Sequence, residues 1–151
     1  LVAACPEVGR LPYQKNPDDL AAVIASADLV VLPGALETFS LATLEALASG
    51  TPVLVPDRGG AAELAHRAGC PTFAANDAAA LAGALGASVP ASEIRRSEIR
   101  QRVIPALAWD TVLRHMHQTY AHIYDRFAAG DLAALEAPPP GWHPYHGESR
   151  V

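Results

Sequence analysis

Basic charge, thiols and long apolar runs are all scarce in this sequence, and each shortage closes a class of function. Eleven Lys and Arg stand against sixteen Asp and Glu, a formal net charge of −5. A nucleic-acid binder would instead carry a basic stripe. Only two cysteines occur, Cys5 and Cys70, and no C-x-x-C pair. They read as free thiols of a cytoplasmic protein, with a single disulfide as the alternative. No apolar run approaches the ~20 residues of a membrane span, and no charged start leads into a signal-peptide core. Six histidines are present, but no acid or cysteine completes a ligand set with them at a known spacing, so no metal site is expected.

What is present is half apolar over 151 residues, enough for one compact domain that buries roughly 70% of its unfolded surface. The chain opens at Leu1 without methionine, on an apolar run over residues 1–5. That run reads as a strand met midway, and the expectation is a fragment or a trimmed chain. The domain is expected over residues 1–130. Residues 131–151, which hold Pro138-Pro139-Pro140-Gly141, are expected to be a proline-rich, extended tail.

Along the chain, Asn16-Pro17-Asp18-Asp19 is a helix start: a cap, a proline at the first helical position and acids at the positive end of the dipole. Leu20, Val23, Ile24 and Ala27 give it an apolar face. Residues 29–32 (Leu-Val-Val-Leu) predict a strand buried on both faces, as in a parallel sheet. A helix is expected over residues 40–49, stopped by Gly50 and Thr51-Pro52. Strand 52–55, helix 61–67, a short strand at Thr72-Phe73 and an alanine-rich helix to about Leu85 follow. This alternation predicts right-handed βαβ units: an α/β, Rossmann-like open parallel sheet with flanking helices. Residues 92–107 predict a charged helix broken by Pro105, its arginines interleaved with glutamates as a solvated face. In the last helix Trp109, Val112, Met116, Tyr120, Ile123 and Phe127 recur at steps of three and four, which predicts an apolar face packed on the body.

The stretch that carries chemistry is PGALETFSLATLEALASGTPVLVPDRGG, residues 33–60. It predicts a strand, a loop, a helix beginning at that loop, and a second strand. Glu37 and Glu45 are both tied to the loop–helix junction. Helix-terminal N–H groups suit a phosphate, and a carboxylate accepts bonds from paired hydroxyls. Together they point to a nucleotide-sugar. The free amides of Phe39, Ser40 and Leu41 would meet a diphosphate, Glu37 the sugar hydroxyls, and Glu45 a ribose diol. Gly59 and Gly60 follow the next strand, where ligands lie in such sheets, and allow close backbone approach.

Residues 29–60 resemble the E-x7-E signature of GT-B glycosyltransferases, in particular the retaining family 4 group. Pro33 begins the segment that reads Pro-Ser-x-x-Glu in many members. Glu45 and residues 46–53 match E-A-x-A-x-G-x-P-V, Gly59-Gly60-Ala61-Ala62-Glu63 matches G-G-x-x-E, and Trp109 opens a terminal helix ending at Tyr124. The likeness runs over residues 11–127. It implies the C-terminal half of a GT-B fold, a donor-binding domain. There Glu37 contacts the donor hexose as the catalytic residue of this half. Thr38 and the amides of Phe39, Ser40 and Leu41 meet the donor, Glu45 holds the ribose, and Gly59 and Gly60 line the site. The nucleobase would lie near residues 12–14. No cofactor or metal is implied, since the family needs no Asp-x-Asp metal and none occurs here.

This sequence departs from the family pattern at Gly34, where serine is usual, and at Thr38 and Ser40, where glycine is common. Threonine at the former leans toward mannose, and Ser40 places a side chain where backbone meets donor. The family's N-terminal domain, with its acceptor contacts and histidine, and its diphosphate-binding Arg and Lys, fall outside this chain. The reaction implied is hexosyl transfer, mannose or glucose type, from a nucleoside-diphosphate sugar to an acceptor hydroxyl on a glycan, lipid or small molecule. This half alone is expected to be inactive, and any peripheral membrane contact would come through the absent half. Two rivals remain: a non-catalytic nucleotide-sugar binding module, and an interaction domain that keeps the fold. Taken singly, Glu45 is an ordinary solvated helix glutamate, Glu37 and Glu63 are acids near helix starts, and Gly59-Gly60 is a tight turn.

Overall fold

A computed structural model describes residues 7–131. The apolar run at residues 1–5, Cys5 and the proline-rich segment from residue 132 onward lie outside the described residues. Helix α1 (Pro17–Ser26) is capped by Asn16, whose Oδ1 accepts the Asp18 N–H at 3.0 Å. Strand β1 (Val30–Val31), helix α2 (Leu41–Ala48), strand β2 (Val53–Pro56), helix α3 (Gly60–Ala68) and strand β3 (Thr72–Phe73) follow. Helices α4 (Ala78–Ala87), α5 (Glu93–Leu107) and α6 (Trp109–Ala128) complete the order. Asp77 caps α4 through the Ala79 and Ala80 amides, both at 2.9 Å.

The three strands form one parallel sheet in the order β1-β2-β3, with Val30 opposite Val53 and Val55 opposite Thr72. The α/β, Rossmann-like open parallel sheet with flanking helices is therefore observed. Its centre is β2, buried along its whole length. The strand at residues 29–32 is shorter than expected and only half-buried. It lies at one side of this three-stranded sheet, so only one of its edges is covered by a described neighbour. Ala46 and Leu47 of α2, Val53 and Val55 of β2, Leu64, Ala65 and Ala68 of α3, and Ile99 and Val103 of α5 make the core. Each fully buried aliphatic side chain of Leu or Ile size contributes about 1.5–3 kcal/mol.

Three further expectations change. Pro105 does not break α5, which runs to Leu107 with the proline in its last turn. So near the end few backbone bonds remain to be lost. The chain turns instead at Ala108 (φ −62°, ψ 141°). Three of the α5 arginines, Arg95, Arg96 and Arg100, turn inward instead of forming a solvated face, while Arg102 stays exposed. Arg96 is buried and donates to the carbonyls of Ala25 (3.2 Å) and Ala27 (2.8 Å) and to Thr51 Oγ1 (3.3 Å). Arg100 donates to Ser49 O at 3.3 Å, and Arg95 to the carbonyls of Ala68 and Gly69. The reason is helical spacing: residues 96, 99, 100 and 103 share one face, and buried Ile99 and Val103 turn it inward. Finally, α6 forms as predicted, yet none of its residues is buried. Its apolar face is open, from Met116 at 44% to Trp109 at 76% exposed, except at half-buried Val112. Periodicity fixes which residues share a face, not what covers that face.

Candidate functional site

The motif loop leaves β1 at Leu32, whose N–H still bonds Leu54 O at 3.1 Å. It ends at Ser40, which precedes α2 in a left-handed conformation (φ 63°, ψ 81°). That region favours glycine, so the backbone there is shaped as a glycine would shape it. The serine side chain turns inward: it is 7% exposed and its Oγ lies 2.8 Å from Thr43 Oγ1, which is fully buried. Because the hydroxyl is spent on Thr43, it makes no bond to a helix-start N–H. The first-turn amides of Leu41 and Ala42, both exposed residues, therefore lack a side-chain cap, which leaves their donors and the positive dipole end available.

Glu37 and Glu45 both lie on the surface. Among the described residues neither carboxylate is drawn into an ion pair. Glu45 stands about 6 Å along the helix axis from Leu41, within reach of a ligand seated on the amides. Thr38, Phe39 and Leu41 are exposed too, Phe39 to 41% and Leu41 to 67%.

Gly59 and Gly60 meet the same loop. The Gly60 N–H donates to Glu37 O at 2.9 Å. A Cβ on Gly60 would overlap the Thr38 carbonyl and come within 2.7 Å of Phe39 Cα, and one on Gly59 within 2.8 Å of Glu37 O. Gly59 also has φ 79°. The close approach that these glycines allow is thus backbone to backbone: they seat the motif loop against the start of α3. Asp57 anchors the preceding turn, accepting the Ala75 N–H at 3.1 Å while its own N–H donates to Phe73 O at 2.8 Å.

Beside the loop lies a groove of about 560 Å³ between α2, α3 and the α5–α6 junction. Its walls are mainly apolar, with Phe39, Leu41, Leu44, Leu64, Leu107 and Trp109 among them; Thr38, Glu63 and Arg67 are polar members. Neither Glu37 nor Glu45 lines it. The sequence pattern singled out Phe39 and Leu41 for their amides only, and read Trp109 as packing. Trp109 opening the last helix shortly after Pro105 was the signal that could have marked this wall; Ala108, where the chain turns, is by itself a helix former. Glu63 lies exposed in the first turn of α3, where the positive end of the helix dipole favours an acid.

Cys70 is a free, buried thiol, and burial raises its pKa above the ordinary 9.0, partly offset by a backbone hydrogen bond from Val53 and by the charges of Arg95 and Arg102. Among the described residues no group of three or more His, Cys, Asp or Glu could hold a metal ion, and no helix is long and apolar enough to cross a membrane.

Residues 2–124 match a family described as "Family 4 Glycosyltransferase in conflict systems". Over 118 residues the chain is 36% identical to the glycogen synthase of Mycobacterium tuberculosis (strain CDC 1551 / Oshkosh), 75% of this chain but 27% of that protein. It is 38% identical over 110 residues to the GDP-mannose-dependent alpha-mannosyltransferase of Mycolicibacterium smegmatis, 71% of this chain and 29% of that protein. A third relative is the GDP-mannose-dependent alpha-(1-6)-phosphatidylinositol dimannoside mannosyltransferase of Mycobacterium tuberculosis (strain ATCC 25177 / H37Ra), 32% identical over 114 residues, 74% of this chain and 29% of that protein. The chain spans less than a third of the length of these relatives.

Proposed function

Because the chain belongs to the family 4 glycosyltransferases, of the kind described in conflict systems, we propose that it is the donor-binding half of a retaining GT-B hexosyltransferase. The donor would be a nucleoside-diphosphate sugar, and the acceptor a hydroxyl on a glycan, lipid or small molecule. Two of the relatives named above carry GDP-mannose in their names. That supports, with Thr38, a mannose donor.

One observation carries this reading. An uncapped helix start at Leu41 stands directly behind a loop bearing Glu37, with Glu45 on the second turn of the same helix and both acids exposed. In the proposed complex the diphosphate sits on the amides of Phe39, Ser40 and Leu41, Glu37 accepts from hexose hydroxyls, and Glu45 accepts from the ribose diol. Bonds to a charged acceptor of this kind contribute about 1.5–3 kcal/mol each. As the bond from the anomeric carbon to the diphosphate breaks, negative charge grows on the leaving oxygen. Fixed N–H dipoles oppose that charge without reorganising. The acceptor hydroxyl attacks the same face and gives its proton to the departing diphosphate oxygen, so the configuration is kept. Acceptor contacts would come from a domain that the relatives' greater length accommodates, and its closure would exclude water.

Calorimetric titration of the chain with GDP, UDP and ADP, and then with their hexose conjugates, tests the proposal. Binding of one nucleoside diphosphate, with tighter binding of its sugar conjugate, is expected. A chain that binds none of them is not a donor domain. It would instead fit an interaction domain, a reading favoured by the uncovered apolar face of α6.

A further inference from the structure

We infer that Arg95 and Arg100 of α5 are positioning residues for the motif loop; the functional half of this inference rests on the donor-site reading above. The two helices whose leading ends meet at the loop are α2, which begins behind Ser40, and α3, which begins at Gly60. In parallel α/β units such helices run antiparallel to the strands, so their trailing ends lie toward the N-terminal ends of the strands, away from the loop, and here α5 packs on both. Arg100 donates to the Ser49 carbonyl at the end of α2, and its guanidinium fills the space beside Gly50 where a Cβ would stand. Arg95 donates to the carbonyls of Ala68 and Gly69 at the end of α3. These are the carbonyls that a helix leaves unpaired, at the negative end of its dipole, and a planar guanidinium is a fitting partner for them.

The consequence reaches the front of the molecule because the parts between are stiff. Helix α2 has eight residues, about 12 Å of rigid rod. Where its rear end is fixed, its first-turn amides are fixed as well. The contact between α3 and the loop has no slack, since Gly60 abuts the Thr38 backbone and its N–H holds Glu37 O. A small rotation of α2 against α3 therefore separates the loop from Gly60. Arg95 and Arg100 would contact no ligand and act only through this geometry.

The test uses the whole chain with Arg95→Gln, Arg100→Gln, the double variant, and Arg100→Lys as the conservative partner that keeps a donor. Amide hydrogen exchange is read at Gly60, bonded to Glu37 O, and at Leu32, bonded to Leu54 O across the sheet. The expected result is a fall in Gly60 protection of about tenfold or more with Leu32 nearly unchanged, as local opening produces. Arg100→Lys should restore most of it. Equal losses at Gly60 and Leu32, or none at either, would overturn the inference, because the arginines would then serve global stability or nothing. GDP and UDP are the ligand probes. If the unaltered chain binds one of them, affinity should fall in the same order as Gly60 protection, and unchanged affinity would refute the functional half. If it binds no nucleoside diphosphate, ADP included, the donor reading fails while the exchange result still decides whether the arginines position the loop.

Discussion

Replacing Gly60 with alanine adds a single methyl group where the structure leaves no room. That carbon would overlap the Thr38 carbonyl and the Thr38–Phe39 backbone, which cannot swing aside as a side-chain tip can. Overpacking of this kind costs about 1–3 kcal/mol. Moving the loop to relieve it weakens the bond from the Gly60 N–H to Glu37 O, a further 0.5–1.5 kcal/mol or so. Alanine's better helix propensity at the start of α3 returns at most about 1 kcal/mol. The net loss is about 1–3 kcal/mol, or roughly 3–10 °C in Tm for a domain of this size. Gly83 supplies the control. It lies inside α4 and a Cβ there meets nothing within 4 Å, so Gly83→Ala should stabilise by about 0.5–1 kcal/mol. Both variants are followed by thermal unfolding and by titration with GDP and UDP. Gly60→Ala should also lose nucleotide affinity, and Gly83→Ala should keep it. If Gly60→Ala melts at or above the unaltered chain, behaving like Gly83→Ala, the loop is not wedged against α3 and the account of the site is wrong.

Glu45→Ala should weaken nucleoside-diphosphate binding by about 2–4 kcal/mol, below the full sum of two hydrogen bonds to a charged acceptor because solvent screens the exposed carboxylate, whereas Glu37→Ala should spare the free nucleotide and weaken only its sugar conjugate. Calorimetry of the three proteins decides, and equal affinities throughout would sink both assignments. Ser40→Ala keeps the left-handed strain and strips Thr43 of its partner, so it should lower stability by about 1–3 kcal/mol; Ser40→Gly loses the same bond but relieves the strain and should melt above Ser40→Ala by about 1 kcal/mol of stability. Burial raises the Cys70 pKa above 9.0, so the native state holds its thiol proton where the unfolded state has released it, and stability is lost as pH rises past that value. Urea unfolding above and below it should show a shallower decline in Cys70→Ala, and identical slopes would contradict the thiol's role.

Much of this fold is written in short-range signals. Asn16-Pro17, Asp77 and Gly50 mark helix ends through bonds to neighbours a few positions away. The valines of residues 53–55 announce a buried strand by composition alone. The spacing of Glu37, Glu45 and Gly59-Gly60 was legible for the same reason: it is a linear pattern. What the pattern could not give is the partner of each group. Charge interleaving made the α5 arginines look solvated, yet Arg96 reaches Ala25 across 71 positions and Arg100 reaches Ser49 across 51. Steps of three and four marked an apolar face on α6, but nothing local says whether another surface lies over it.

By itself, then, the sequence determined the order of strands and helices, their caps, and which loop carries the acids, because caps and periodicity act within one or two turns of backbone. Only the tertiary structure decided that the paired glycines press on the motif loop, that Ser40 turns its hydroxyl inward in a left-handed conformation, and that guanidinium groups close the far ends of three helices. Those outcomes depend on which surfaces meet in space, and a donor or a Cβ finds its neighbour there only after the chain has closed on itself.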